Sequence, residues 1–247
     1  TPQDRFEESG LLVAESERLL ALRELLARLI GWDPVRVADI DHALRAVRDM
    51  ALRRNALVLW GVGELATIAR RVHAHALGEE RPFVIPETGE AVVAAFERAG
   101  TGTLCLPRRA APDDLTALRR ALESTGPRGH VIACTVSRQA AFDAVGSLGR
   151  GAVVELPAIA TRLHELERLL SVFGEDAARQ LGAPGTGFRQ HEMNWLTKID
   201  YRDFESIEYV VERVVAIRNW GVVGAARRFG VTHPALSQWA QRYGIPT

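Results

Sequence analysis

Residues 57–65 read Leu-Val-Leu-Trp-Gly-Val-Gly-Glu-Leu, and this stretch decides the fold. An uninterrupted apolar run ends at a glycine, and a helical spacing of apolar residues then continues to residue 76. An apolar run without alternation predicts a strand that is buried on both faces, as in a parallel sheet. Four further runs of this kind are separated by helical segments: 82–85, 103–106, 130–134 and 152–156. The sequence therefore predicts an α/β domain with a five-stranded parallel sheet.

Helices are predicted on both sides of this α/β region. Leucines recur at three- and four-residue spacing between residues 11 and 30, and a second helix is predicted from 34 to 54, after a cap at Asp33-Pro34. After Pro157 the strands cease, and helices are predicted over 159–173, 175–181 and from 204 onward. The best linker candidate is Ala-Pro-Gly-Thr-Gly at 183–187, because proline and glycine interrupt regular structure.

Composition and charge exclude several classes of protein. Lys and Arg total 31, as do Asp and Glu, so the chain as a whole has no net charge to attract nucleic acid or a membrane, and only a local patch could do so. Two cysteines, Cys105 and Cys134, are too few for a disulfide framework or a zinc site, and they fit a reducing compartment. No apolar run approaches the about 18 residues that span a bilayer. We therefore expect a cytoplasmic protein without a membrane or metal partner.

Residues 206–245 carry the most specific signal in the chain. A helix over 206–218 is interrupted at Asn219-Trp220-Gly221, and a short helix over 222–229 is ended by Gly230. A last helix over 233–243 is closed by Gly244. Two short helices joined by a glycine-containing turn have the spacing of a helix-turn-helix. From Arg213 to the end there are five arginines and no acidic residue, which suits contact with DNA phosphates. A helical cap with solvated arginines is the alternative.

This motif makes specific predictions about packing. Ala225-Ala226 lets the two short helices approach closely, and Thr232 is a good N-cap for the last helix. Five residues are expected to bury between the helices: Phe229, Val231, Leu236, Ala240 and Tyr243. A helix-turn-helix usually acts as a dimer, so a homodimer or higher homo-oligomer is expected. The candidate interface, with ordinary core packing as its alternative, is an apolar face of six residues: Ile207, Val210, Val211, Val214, Val215 and Ile217.

The last helix would enter the major groove of double-stranded DNA. Glutamine pairs with adenine edges, and serine and histidine pair with several bases, whereas arginines hold phosphates. The predicted DNA site comprises nine residues: Arg227, Arg228, Thr232, His233, Pro234, Ser237, Gln238, Gln241 and Arg242.

The segment from Asn219 to Ile245 resembles the Fis-type helix-turn-helix at the end of many bacterial transcription regulators. The resemblance is carried by Gly221, Ala225-Ala226, Phe229-Gly230-Val231-Thr232, Leu236 and Tyr243-Gly244-Ile245. Pro234 and Trp239 depart from the family pattern, which more often has basic or polar residues at these positions. The resemblance implies a DNA-binding domain over 204–247.

The sheet region resembles the AAA+ domain of sigma-54-dependent activators, to which such tails are attached. The likeness is carried by 57–65, by Ala69-Arg70-Arg71-Val72-His73-Ala74, by Pro82-Phe83-Val84, by 99–106, by 131–135 and by Glu155-Leu156-Pro157. It implies an AAA+-like core over 1–157 with N-terminal helices, followed by a helical lid over 158–200.

The residues that hydrolyse ATP in such a domain are missing here. Gly61-Val62-Gly63-Glu64 is too short for a phosphate loop, lacks the lysine and has a carboxylate where phosphate would lie. Pro107-Arg108 stand where an Asp-Glu pair would hold magnesium. Val136 or Ser137 replaces the sensor asparagine, and the loop that contacts sigma-54 has no counterpart. We therefore predict no enzymatic activity, no catalytic residue and no cofactor, with a vestigial nucleotide cleft at Gly61, Gly63, Glu64 and Arg108.

The favoured function is a DNA-binding transcription regulator whose inactive AAA+-like domain serves oligomerisation or partner docking. Two alternatives stay open. One is an adaptor whose helix-turn-helix packs on another protein, such as a second regulator. The other is a ligand sensor that keeps a small molecule in the old cleft, with Arg108 or Arg109 contacting anions. Metal binding is not expected, since His73 and His75 face different directions on a helix.

Overall fold

The computed structural model describes residues 2–107, 111–123, 129–184 and 187–245, and for residues 2–15 it describes the backbone only. The chain forms two compact units, Thr1–Pro157 and Ala158–Thr247. Among the described residues, none of the helices combines the length and the apolar character that crossing a bilayer requires.

The first unit alternates helices and strands after an N-terminal pair of helices. Its helices are α1 (Pro2–Ile30), α2 (Val37–Arg53, after a 3-10 turn at Pro34–Arg36), α3 (Leu65–Leu77), α4 (Val92–Ala99), α5 (Pro112–Glu123) and α6 (Arg138–Leu148). Its strands are β1 (Ala56–Gly61), β2 (Phe83–Val84), β3 (Thr103–Leu106), β4 (His130–Thr135) and β5 (Gly151–Leu156).

The five strands form one sheet in the order β2-β3-β4-β1-β5, and all four pairs are parallel. This confirms the predicted α/β fold. Leu57 of β1 lies opposite Ile132 of β4 and Ala152 of β5, which places β1 between these two strands. The chain leaves β1 toward β2 on one side and returns past it to β5 on the other. The carboxyl end of β1 is therefore a topological switch point, where α/β sheets commonly bind ligands.

Both faces of the sheet are covered, as the uninterrupted apolar strands predicted. Val58 of β1 belongs to a buried cluster that includes Phe96 of α4, Leu118 of α5 and Ala141 of α6. Successive side chains of a strand point to opposite faces, so Leu57 and its alternate neighbours lie on the other face, where α2 and α3 pack.

The second unit is helical. It contains 3-10 turns at Ile159–Thr161 and Leu163–Glu165, then α7 (Leu166–Leu181), α8 (Gln190–Leu196), α9 (Phe204–Arg228) and α10 (His233–Arg242). The predicted break between helices at Gly174 is wrong, because α7 runs through it. Gly174 is buried against Phe188, whose Cε2 would lie only 2.6 Å from an added Cβ. This glycine is therefore explained by packing and does not end a helix.

The apolar face of α9 is interior, so of the two alternatives for this face, dimer interface and ordinary core packing, the structure favours core packing. The helix packs along α7, and the rings of Phe173 and Phe204 lie 6.2 Å apart. The six residues of that face are at most 7% exposed: Ile207, Val210, Val211, Val214, Val215 and Ile217. The face is already covered within the chain, so it is not available to a second copy.

Candidate nucleic-acid interface and nucleotide cleft

The connection at the carboxyl end of β1, where the nucleotide cleft is predicted, is short. β1 ends at Gly61 and α3 begins at Leu65, so the connection has only three residues. A Cβ at Gly61 would lie 2.7 Å from the carbonyl oxygen of Leu156, so the glycine lets β1 and β5 approach closely. Gly63 has a φ of 97°, which favours glycine in this tight turn. Packing and turn geometry therefore account for both glycines without a bound phosphate.

Glu64 occupies the N-terminal end of α3 with its own side chain. Its Oε1 accepts a hydrogen bond from the N–H of Ala66 at 3.4 Å. The first N–H groups of a helix have no partner within it and favour an anion, which is why phosphates bind at such ends. Here the anion is a carboxylate of the chain itself. Arg108 and Arg109, the cations predicted for this cleft, lie outside the described residues.

The end of β4 shows a similar arrangement. Ser137 lies where the resemblance would have a sensor asparagine, and its Oγ accepts from the N–H of Ala140 at 3.2 Å. It is thus the N-cap of α6. Its neighbour Val136 is 80% exposed and offers no polar group to a ligand.

The C-terminal segments have the backbone of two short helices joined by a tight turn. Gly221, with φ 64° and ψ 173°, divides α9 into a first segment (204–220) and a second segment (222–228). After the second segment Gly230 adopts a φ of 63°, and the N–H of Val231 donates to the carbonyl of Ala226 at 3.0 Å. This is the Schellman pattern, in which a left-handed glycine ends a helix. Thr232 then caps α10, where its Oγ1 accepts from the N–H of Ala235 at 3.4 Å.

The set of residues buried between these helices agrees in part with the predicted set. Ala225, Leu236 and Ala240 are at most 2% exposed, and Phe229 and Tyr243 are half-buried. The prediction for Val231 is wrong, because its side chain is 39% exposed. Val231 directly follows the left-handed glycine, so the turn directs it away from the interior.

Two of the five arginines, Arg213 and Arg218, are half-buried against partners within the unit. The guanidinium carbon of Arg213 lies 3.4 Å from the ring centroid of Tyr209 and 5.0 Å from that of Phe229. Burial lowers the pKa of this guanidinium. Arg218 donates to the carbonyl of Gly187 at 2.5 Å, and its Nη1 lies 3.5 Å from a carboxylate oxygen of Glu192.

The contacts of Arg213 and Arg218 within the unit were not predicted from the sequence. The i, i+4 spacing of Tyr209 and Arg213 is a visible signal of a cation–π pair. The arginine count alone gave no indication that either guanidinium was already engaged.

The remaining predicted contacts lie on the surface. Pro234, Gln238 and Gln241 occupy the side of α10 opposite the buried Leu236 and Ala240. Ser237 is half-buried, and its Oγ lies 3.4 Å from His233 Nε2. The other eight residues of the predicted site are exposed: Arg227, Arg228, Thr232, His233, Pro234, Gln238, Gln241 and Arg242.

Two histidines are buried at the amino end of the sheet. His73 Nε2 donates to the carbonyl of Arg81 at 3.0 Å, and its Nδ1 accepts from the hydroxyl of Thr103 at 2.7 Å. His130 Nδ1 donates to the carbonyl of Met50 at 2.9 Å. Burial is the main cause that lowers the pKa of both imidazoles, so they are held neutral. In the described part of the chain, no three metal-ligating side chains come together as a metal site.

Solved structures with a similar fold include NtrX and RuvB. NtrX from Brucella abortus, in complex with ADP, matches with a TM-score of 0.52 at 15% sequence identity, over 98% of this chain and 74% of that chain. A point mutant of RuvB from Thermotoga maritima matches with a TM-score of 0.52 at 12% identity, over 90% of this chain and 73% of that chain. At these identities the likeness establishes the fold alone, which is AAA+-like. Neither a protein-family model nor a curated protein matches the chain.

Proposed function

We propose that this chain is a DNA-binding transcription regulator whose AAA+-like domain does not hydrolyse ATP. The observation that carries the proposal is the pair of short helices joined by a tight turn over residues 222–242, together with the exposed polar side of α10. The AAA+-like fold agrees with a regulator of the sigma-54 activator kind. The resemblance of residues 219–245 to a Fis-type domain points the same way.

The chemistry of α10 supports base reading. Gln238 and Gln241 are exposed on the side of the helix that faces away from the interior. A glutamine amide both donates and accepts, which matches the adenine edge in the major groove. Leu236 and Ala240, buried on the opposite side, hold the helix so that this face stays outward.

The distribution of charge supports backbone contact. Arg227 and Arg228 end the second segment of α9, and Arg242 ends α10, all three exposed. No acidic residue lies between 213 and 247 to repel a phosphate. Phosphate contacts position a protein on the duplex, whereas base contacts select the sequence.

The cleft supports the absence of hydrolysis. Hydrolysis of ATP needs a lysine and a magnesium ion at the phosphates. In this chain Glu64 brings a negative charge to the end of α3, where it caps the helix, and the short connection after β1 leaves little backbone to wrap a phosphate. We propose that the domain instead serves oligomerisation or the docking of a partner.

Fluorescence anisotropy with labelled duplexes tests the proposal. Site selection from a random-sequence library first identifies a preferred duplex, and a scrambled duplex of equal length is the comparison. Gln238→Ala should cost about 1–3 kcal/mol on the preferred duplex and leave the scrambled one almost unchanged. Leu236→Ala is not a useful probe, because a core truncation unfolds the reading helix. Salt-independent or absent binding by the folded wild type would refute DNA binding and favour the adaptor.

A further inference from the structure

Arg228 is stacked on an aromatic ring that the predicted DNA site did not include. Its guanidinium carbon lies 3.6 Å from the ring centroid of Trp220. In an unbroken helix, eight residues would separate the two by about 12 Å of rise. The non-helical Gly221 lies directly after Trp220 and changes the direction of the chain there. The break in α9 therefore allows a contact that a straight helix would not favour.

A second glycine makes room for the Cβ of Trp220, next to the break in α9. A Cβ added at Gly224 would lie 2.7 Å from the Cβ of Trp220, closer than such atoms approach in proteins. Glycine weakens a helix interior, so its presence within the second segment of α9 calls for a cause. The close approach of the Cβ of residue 220, beside the non-helical Gly221, is that cause.

Stacking leaves the hydrogen-bonding edge of the guanidinium available. The cation–π contact uses the flat face of Arg228, whereas its N–H donors lie in the plane and point outward from the edge. A phosphate is bound through that edge. An arginine side chain that is ordered in the free protein also loses less conformational entropy when it binds. Arg227, its exposed neighbour on the same segment, provides the natural comparison.

We infer that Trp220 is a positioning residue, which holds the Arg228 guanidinium ready to contact a DNA phosphate. This inference rests on the proposed function, because it assigns a role within the same interface. It predicts that Trp220 contributes to DNA affinity only through Arg228.

A double-mutant cycle tests this coupling. Trp220→Leu, Arg228→Ala and the combined variant are titrated with a labelled mixed-sequence duplex between about 50 and 200 mM salt. The matched control is the same cycle with Arg227→Ala. Trp220→Leu should weaken binding about 2- to 10-fold, the cost of ordering one long side chain. In the Arg228→Ala background it should have almost no effect, and in the Arg227→Ala background it should retain its full effect.

A milder variant covers the case in which Trp220→Leu does not fold by circular dichroism. Arg228→Lys keeps the charge but lacks the flat face, and it alters an exposed residue. It should weaken binding by a similar factor and leave the salt dependence of the affinity unchanged, because the phosphate contact remains.

The outcomes separate the inference from the proposed function. An equal loss for Trp220→Leu in all three backgrounds, or wild-type affinity for Arg228→Lys, would overturn the inference while DNA binding stands. If the folded wild type shows no salt-dependent binding, the proposed function fails and the inference fails with it. A loss confined to proteins that keep Arg228 would support both.

Discussion

Removing two positive charges from the end of α9 should change the salt dependence of DNA binding by a calculable amount. Arg227 and Arg228 are exposed and consecutive, and each is proposed to neutralise one phosphate. Each lost contact lowers the slope of log affinity against log salt by about 0.9. The double variant Arg227→Ala/Arg228→Ala should therefore have a slope shallower by about 1.8. A rise from about 50 to about 200 mM salt should then weaken it about 12-fold less than it weakens the wild type.

The assay is anisotropy on a preferred duplex and a scrambled duplex at four or more salt concentrations. The loss should be the same on both duplexes, because phosphate contacts carry no sequence information. Arg179→Ala is the matched control, since this exposed arginine lies on α7, outside the proposed helix-turn-helix. Arg213→Met is a second control, which should lower stability and leave the slope of the remaining folded protein unchanged, because that guanidinium is packed on Tyr209. A double variant that folds and keeps the wild-type slope would refute the phosphate assignment.

Three further predictions concern the first unit. With magnesium present, the purified protein should release no more phosphate from ATP than a blank does, since the Glu64 carboxylate caps α3. Phosphate release by the wild type that is lost in Glu64→Ala would contradict this. Gly61→Ala should lower the free energy of unfolding by about 1–3 kcal/mol in urea titrations, because the new methyl group would meet the Leu156 carbonyl. An unchanged urea midpoint would show that β1 and β5 accommodate the methyl group without cost. Burial lowers the pKa of His73 and His130 in the folded protein. Below about pH 6.5, the ordinary pKa of histidine, the unfolded chain therefore binds more protons than the folded protein does. The free energy of unfolding should consequently fall as the pH drops below about 6.5. Replacing both residues with Gln should flatten that dependence in thermal melts.

Much of the fold could be predicted because its signals are local. β3 was predicted at its observed bounds, Thr103–Leu106, since a strand covered on both faces has to be apolar at every position. The turn of the candidate DNA site was equally readable, because a left-handed glycine and a threonine cap act on their nearest neighbours. Gly174 shows the limit of this reasoning. A glycine that ends a helix and one that admits a distant ring, here Phe188, look alike in the sequence.

The amino-acid sequence by itself determined most of the positions of strands, helices and turns, because capping, backbone torsion and hydrophobic period are properties of adjacent residues. Only the tertiary structure decided what the side chains are free to do. Five arginines form one basic stretch in the sequence, yet Arg213 is enclosed by aromatic rings and Arg218 is bonded to a loop carbonyl. Arg227 and Arg228 remain on the surface, and the latter is stacked on Trp220. Availability depends on burial, and burial depends largely on which distant segments fold against each element, as Phe229 does against Arg213 and Gly187 against Arg218.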